Sequence, residues 1–316
     1  MTSVLLHHFD PSPFSEKVRL LLGHCDLAWG SVRIPRMMPK PHFTALTGGY
    51  RKTPALQMGR DIYCDTALIV RVIERLSGKS TLVPPGQAAS VRALEEMGDR
   101  LFLAAIPILF RPEGRAVLVD QLGEEGLARF QADRAELFSG GNVSRPDDQF
   151  SRAVWTSTLE MLDAQLAHQP FVLGEHPTLA DFSLYHPIWY VRNNPGVRGI
   201  TQDYPHLMAW FERLGAIGHG RRHDASEAQA HEIAAACDHW QPLADEFDDS
   251  LNMAPGDEVT VGAVDYGVDR VHGRLVHISR EALTLEREAT FEGRVLGPVR
   301  LHFPRDGFTL SPASSF

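Results

Sequence analysis

Three polar clusters near the start of the chain carry the residue types that could do chemistry: Ser12-Pro13-Phe14-Ser15, Thr53-Pro54 and Asp65-Thr66. A serine hydroxyl at a helix N-terminus can donate to an anion, and the unpaired N–H groups of the first turn reinforce it. Such surroundings also lower a thiol's pKa and hold it as thiolate. Asp65-Thr66 offers a second polar helix start. Thr53 precedes a proline, a position where the peptide bond is sometimes cis. Aimed at one spot, the three would cradle a small anionic thiol peptide.

Each cluster falls at a joint between regular elements. Val4-Leu5-Leu6 is an apolar run of strand length, broken by Asp10-Pro11-Ser12-Pro13. Val18, Leu21, Leu22 and Cys25 then recur at helical spacing, which predicts a helix from about Pro13 to about Cys25. Pro13 suits its first position and Ser12 its N-cap. Ala55-Leu56-Gln57-Met58 and Asp61-Ile62-Tyr63-Cys64 flank Gly59-Arg60, the pattern of a tight hairpin. Asp65 or Thr66 caps a helix with Leu68, Ile69, Val72, Ile73 and Leu76 on its apolar face, and Ser77-Gly78 ends it. Capping alone would account for Ser12, with a stabilisation of about 1 kcal/mol. Ser15 suits either the cap or the chemistry and ranks second. Arg51, Lys52 and Gln57 offer partners for carboxylates.

Strand, helix, strand, Thr-Pro, hairpin and helix, in that order, resemble the thioredoxin-like N-terminal domain of the glutathione S-transferases. Ser12-Pro13-Phe14-Ser15-Glu16-Lys17-Val18-Arg19 is similar to the motif that carries the catalytic Ser or Cys in the bacterial, theta- and omega-like branches. The resemblance implies glutathione as co-substrate, a sulfur contact from Ser12 or Ser15, and transfer of the thiolate to a small electrophile. It implies that Thr53, before a cis-Pro54, holds the cysteinyl backbone, with Lys52 beside it. Asp65-Thr66 sits where the family usually has Glu-Ser for the γ-glutamyl group, and the shorter Asp weakens that match. Glutaredoxins carry Cys-Pro-Tyr-Cys at a comparable place. Serine at both cysteine positions here removes mixed-disulfide chemistry.

The resemblance covers roughly the first 220 residues. It gives an α+β multidomain chain, with a thioredoxin-like α/β domain at 1–80 and an all-helical domain at 86–222. Residues 80–86 read as the linker between them. In the second domain, helical patterns run over Val91–Phe110, Leu122–Phe138 and Phe150–Leu166, with Pro107 as a bend or stop and Ser139-Gly140-Gly141-Asn142 as a break. Thr178 with Asp181 has capping-box form and reads as a fold determinant. Tyr185, His186, Trp189 and Tyr190 suit either a core or a pocket wall. Asp224-Ala225-Ser226-Glu227 opens a predicted connecting helix within 223–252, reaching about Phe247. From 253 to 316 the period changes to two, as in Val259, Val261 and Ala263, which predicts a small β-sheet or barrel.

Composition narrows the partners. The formal net charge is -9, which argues against nucleic acid or an anionic membrane surface. After Met253 there are seven arginines, no lysine and nine acidic residues, a poor footprint for a nucleic-acid-binding barrel. Contact with protein is the expected role of that module, with Asp265-Tyr266-Gly267 and His302-Phe303-Pro304-Arg305 read first as turn and edge residues and second as residues that reach a ligand. No apolar run approaches a membrane span, and there is no signal-peptide pattern. Cys25, Cys64 and Cys237 are few and scattered, as in a reducing cytoplasm. Cys25 suits a core. Cys64 beside Asp65 is either packed or open to oxidation. The fifteen histidines show no metal-ligand spacing, so no metal is expected. A homodimer follows from the resemblance. The functional alternatives are a non-catalytic interaction module that uses the β extension, and a glutathione-dependent isomerase, dehalogenase or peroxidase.

Overall fold

The computed structural model describes residues 3–78, 82–144, 146–243, 246–248 and 250–313. Ser80 and Thr81 of the expected linker lie outside these, as do Asp245 and Asp249 of the expected break after the connecting helix.

In strand β1 (Val4–His8), Leu5 enters one core and Leu6 another, because successive side chains of a strand face opposite ways. Helix α1 (Pro13–His24), strand β2 (Ala28–Arg33) and helix α2 (Pro41–Thr47) follow. Strands β3 (Ala55–Met58) and β4 (Asp61–Cys64) form the hairpin predicted around Gly59-Arg60, and helix α3 (Thr66–Ser77) ends at Gly78 in the left-handed conformation. β1 pairs parallel with β2 and antiparallel with β3. Cys25 and Cys64 are both core residues. Burial pushes the Cys64 thiol well above its ordinary pKa, so it is inert packing.

The helical domain comprises α4 (Ala88–Leu109), α5 (Pro112–Leu137), α6 (Asp148–Leu166), α7 (Leu179–Arg192) and α8 (Pro205–Gly215). α5 bends sharply at Gly123, whose φ of 72° is open to glycine at little cost. Thr178 and Asp181 form the expected capping box at the start of α7. Asp181 does more than cap. Its carboxylate accepts from the N–H of Thr178 and of Val172 (both 2.8 Å) and from the Trp210 indole (2.9 Å), all within the core.

The chain departs from expectation after α8. The predicted connecting helix through 223–252 is replaced by strand β5 (Arg221–Ala225), which adds parallel to β2, and a short helix α9 (Glu227–Ala236). The Ser226 side chain accepts from Gln229 N–H and fixes the helix start, so the residues before it are extended. Beyond Ala236 the chain meets Pro242, which pushes Gln241 out of helical conformation. That stretch is instead fastened across the sheet. Gln241 N–H donates to Asp61 (2.8 Å), and Trp240 lies under the guanidinium groups of Arg60 and Arg300.

The C-terminal strands are β6 (Glu258–Ala263), β7 (Val271–Ile278), β8 (Ala282–Phe291), β9 (Arg294–Pro304) and β10 (Phe308–Pro312). They form a sheet and not a closed barrel. β9 pairs parallel with β4, so one sheet of ten strands runs β10-β6-β7-β8-β9-β4-β3-β1-β2-β5 among the described residues. Phe303, Leu301 and Leu285 join Leu5, Ala55 and Ile62 in a single core on the face covered by α2 and α9. His302 pins the seam. One ring nitrogen meets Asp61 on β4 (2.8 Å), the other Thr284 on β8 (3.0 Å), and the ring stacks on Tyr63. Burial lowers the His302 pKa, so the ring is neutral at pH 7 and can donate to Asp61 while accepting from Thr284.

Asp181→Ala would strand four buried donors, the N–H groups of Val172 and Thr178, the Thr178 hydroxyl and the Trp210 indole. The expected cost is about 3 kcal/mol or more, read as a lower urea midpoint at unchanged slope.

Candidate functional site

The N-terminal end of α1 is built by local rules. Ser12 is extended (φ -78°, ψ 120°), Pro13 occupies the first helical position, and Ser12 Oγ accepts from Ser15 N–H at 3.2 Å. A hydroxyl that accepts through a lone pair still has its proton to donate. Ser12 lines a cavity of about 290 Å³ between the N-terminal domain and helices α4 and α5. Ser15, the second candidate, does not. It is fully buried, and among the described residues its hydroxyl has no hydrogen-bond partner.

A second recess of about 240 Å³ adjoins the first, and the two share Phe14, Lys52, Thr53, Phe102 and Tyr266. Thr53 and a cis Thr53–Pro54 bond therefore stand at the junction. Asp65 and Thr66 line the second recess. Asp65 holds a φ of 73°, unfavourable for a residue with a side chain, and its carboxylate caps α3 by accepting from Ala67 N–H at 3.0 Å. Strain of this kind gathers where a surrounding site fixes the backbone.

Lys17, Glu95, Glu96 and Asp99 complete the second recess. Asp99 reaches water through the recess, yet the protein around it raises its carboxyl to about 6 by desolvation, against the pull of Lys17. The recess thus pairs a helix N-terminus, which suits a carboxylate, with acidic residues, which suit an ammonium group.

The first recess is cationic and aromatic. Lys40 donates to Thr53 Oγ1 (3.0 Å) and to the Arg51 carbonyl (3.2 Å). Burial, with Arg134 adding to it, lowers the Lys40 ammonium to about 7. Arg51 is committed to Asp133 at 2.6 Å. Gln57, grouped by sequence with Arg51 and Lys52 as a carboxylate partner, is excluded from the cavity. It is fully buried and bonded to His7 and to the carbonyls of Gly59 and Ala230. His186 and Tyr185 are core residues, whereas Tyr190 lines the wall.

The C-terminal extension lines the candidate site, so Asp265 and Tyr266 take the alternative that sequence ranked below a turn-and-edge role. Asp265 accepts from Lys52 Nζ at 2.8 Å, and Tyr266 lies beside the same ammonium and stacks on Phe138. Lys52 therefore lines both recesses with its charge already balanced. Gly267 donates its N–H to the Leu137 carbonyl (2.6 Å), and a Cβ there would press on Lys52 and Leu137. Gly141 packs against the Asp265 carbonyl with no room for a side chain.

Sequence reasoning missed Lys40, Arg36, Arg134 and Asp99 as cavity residues. Lys40 alone had a local signal, standing before Pro41 at the start of a helix. Among the described residues no cluster of His, Cys, Asp and Glu could hold a metal ion, and no helix is long and apolar enough to cross a membrane.

Comparison with known proteins places this geometry. Residues 6–81 match the family model for the glutathione S-transferase N-terminal domain, and residues 124–213 match that for the C-terminal domain. A GST-like protein of solved structure from Pseudomonas syringae is 36% identical, with 99% of this chain and 100% of that one covered and a TM-score of 0.80. The likeness therefore includes the C-terminal strands. A glutathione S-transferase from Rhodospirillum rubrum is 19% identical over 67% of this chain and 88% of its own, at a TM-score of 0.51. A beta-etherase from Sphingobium is 17% identical over 68% and 96%, also at 0.51. These two share the fold. No curated protein sequence matches the chain.

Between pH 7 and 10 an unfolded chain keeps Lys40 protonated while the folded one has released that proton. Folding stability from this residue therefore rises with pH over that window. Urea titrations at pH 6.5 and 9.5 should show the wild type gaining on Lys40→Met as pH rises, and a constant difference would contradict the lowered pKa.

Proposed function

This chain belongs to the glutathione S-transferase family, and from that premise we propose that it binds glutathione across the two recesses and uses Ser12 to activate the thiol for attack on a small electrophile. One observation carries the reading: Ser12, the N-cap of α1, lines the same cavity as Thr53.

The residues divide the work. Ser12 donates a hydrogen bond to the sulfur while Oγ stays anchored by Ser15 N–H, so the donor is already oriented when charge forms on sulfur. Thr53 presents its backbone to the cysteinyl unit, and Pro54 follows it at the junction. Lys40 is placed to meet the glycyl carboxylate from beside Thr53. Asp65 and Thr66 receive the γ-glutamyl end, and Asp99 and Glu95 lie within the same recess for its ammonium. Lowering a thiol from about 8.5 to below 7 requires about 2 kcal/mol, within reach of one charge-assisted hydrogen bond and a helix end. The thiolate then forms a C–S bond at the electrophilic carbon, and the leaving group departs with the bonding pair. A homodimer, as family members usually form, and a reducing cytoplasm, from the few scattered cysteines, belong to the same proposal.

Calorimetry should detect glutathione binding to both the wild type and Ser12→Ala. Conjugation of a chlorodinitrobenzene should fall about 100-fold in kcat/KM for the variant. Full activity in Ser12→Ala would remove Ser12 from the mechanism. Absence of binding in the wild type would favour the non-catalytic interaction module.

A further inference from the structure

We infer that the first recess selects an aromatic carboxylate as the electrophile, with Arg36 holding the negative group. The inference rests on the transferase reading and names the class of its second substrate.

The charges of the recess do not balance. Arg36 and Arg134 flank the ring of Phe130, at 4.1 and 5.0 Å from its centre. Asp133 lies between two guanidinium groups, 2.6 Å from Arg51 and 3.3 Å from Arg134. Lys52 is matched by Asp265. Arg36 meets no carboxylate within ion-pair distance among the described residues, and its neighbours are Phe130 and the Tyr190 hydroxyl. A half-buried guanidinium between aromatic rings, without an anion, has given up hydration for little return. A ligand carboxylate restores that balance, and the planar fork of arginine matches it with two parallel hydrogen bonds.

Position assigns that anion to the second substrate. In the proposed pose the two carboxylates of glutathione lie by Lys40 and by the start of α3. Arg36 lines the first recess with Phe110, Phe130 and Tyr190, none of which lines the second. Aromatic faces there favour a flat ring over an aliphatic chain. A chloronitrobenzoate satisfies both demands. The thiolate attacks the ring carbon bearing chlorine, a C–S bond forms, the C–Cl bond breaks, and chloride leaves with the bonding pair. The thiol proton has already passed to solvent, and the carboxylate stays unchanged on Arg36.

Chloronitrobenzoate and its neutral amide are the test pair, each rate divided by its uncatalysed rate with glutathione. The wild type should favour the benzoate at least about tenfold in kcat/KM, the worth of one hydrogen-bonded charge. That ratio should collapse toward one in Arg36→Gln and be partly kept in Arg36→Lys. An unchanged ratio in Arg36→Gln, or a wild-type preference for the amide, overturns the inference. Calorimetry of nitrobenzoate against nitrobenzamide, without glutathione, reads the recess apart from the transfer reaction. Tighter benzoate binding that Arg36→Gln abolishes supports the anion site even where conjugation fails, and only the transferase reading then falls. Equal binding of the two overturns the anion site even where neutral aryl halides are conjugated rapidly.

Discussion

The hydroxyl of Ser12 is held by one hydrogen bond, from Ser15 N–H, and the remaining architecture gives that bond its value. The bond spends a lone pair on the backbone and leaves the proton to be donated. Because Ser12 is the N-cap, its hydroxyl stands at the N-terminal end of α1, where an anion is favoured. Capping and anion stabilisation are thus one geometry. The helix must be fixed for this to hold. Arg19 on α1 binds Glu16, the His8 ring and the Asp10 carbonyl, so α1 is tied to β1 and to the turn that carries Ser12.

The C-terminal extension serves the site twice. Through β9 on β4 it completes the core behind the N-terminal sheet, with His302 bridging Asp61 and Thr284 at the seam. Through the β6–β7 loop it sets Asp265 and Tyr266 against Lys52 at the junction of the two recesses. The first role explains how about sixty residues persist without a separate core, since a module that small buries too little surface alone. The second neutralises Lys52 and leaves Arg36 as a cation of the first recess with no carboxylate partner among the described residues.

How much of this was legible depended on whether the cause was local. Pro13, the Ser12 cap, Gly59-Arg60, Gly78 and the Thr178–Asp181 box act over three or four residues, and each element they predict is present. The sequence already ranked Ser12 ahead of Ser15, but that Ser15 is fully buried follows from how α1 packs, which spacing does not encode. Arg36, Lys40, Arg134 and Asp99 read as ordinary surface charges, because a charge beside a cavity and one beside bulk water look alike in sequence. The connecting helix starts at its predicted cap, Ser226, but ends early at Ala236, and the strand before it was not foreseen. Residues 221–225 have little intrinsic strand character and are extended because β2 offers them an open edge. The parallel pairing of β4 with β9 joins residues some 240 positions apart and leaves no local trace.

The central claim is that the α1 N-terminus settles a negative sulfur, and the thiol pKa of glutathione bound to the wild type reads it most directly. Thiolate absorbance in the ultraviolet, followed against pH at saturating glutathione, should give a midpoint below about 7, and Ser12→Ala should return it toward the free value of about 8.5. A midpoint near 8.5 in the wild type, with glutathione demonstrably bound, would contradict the account.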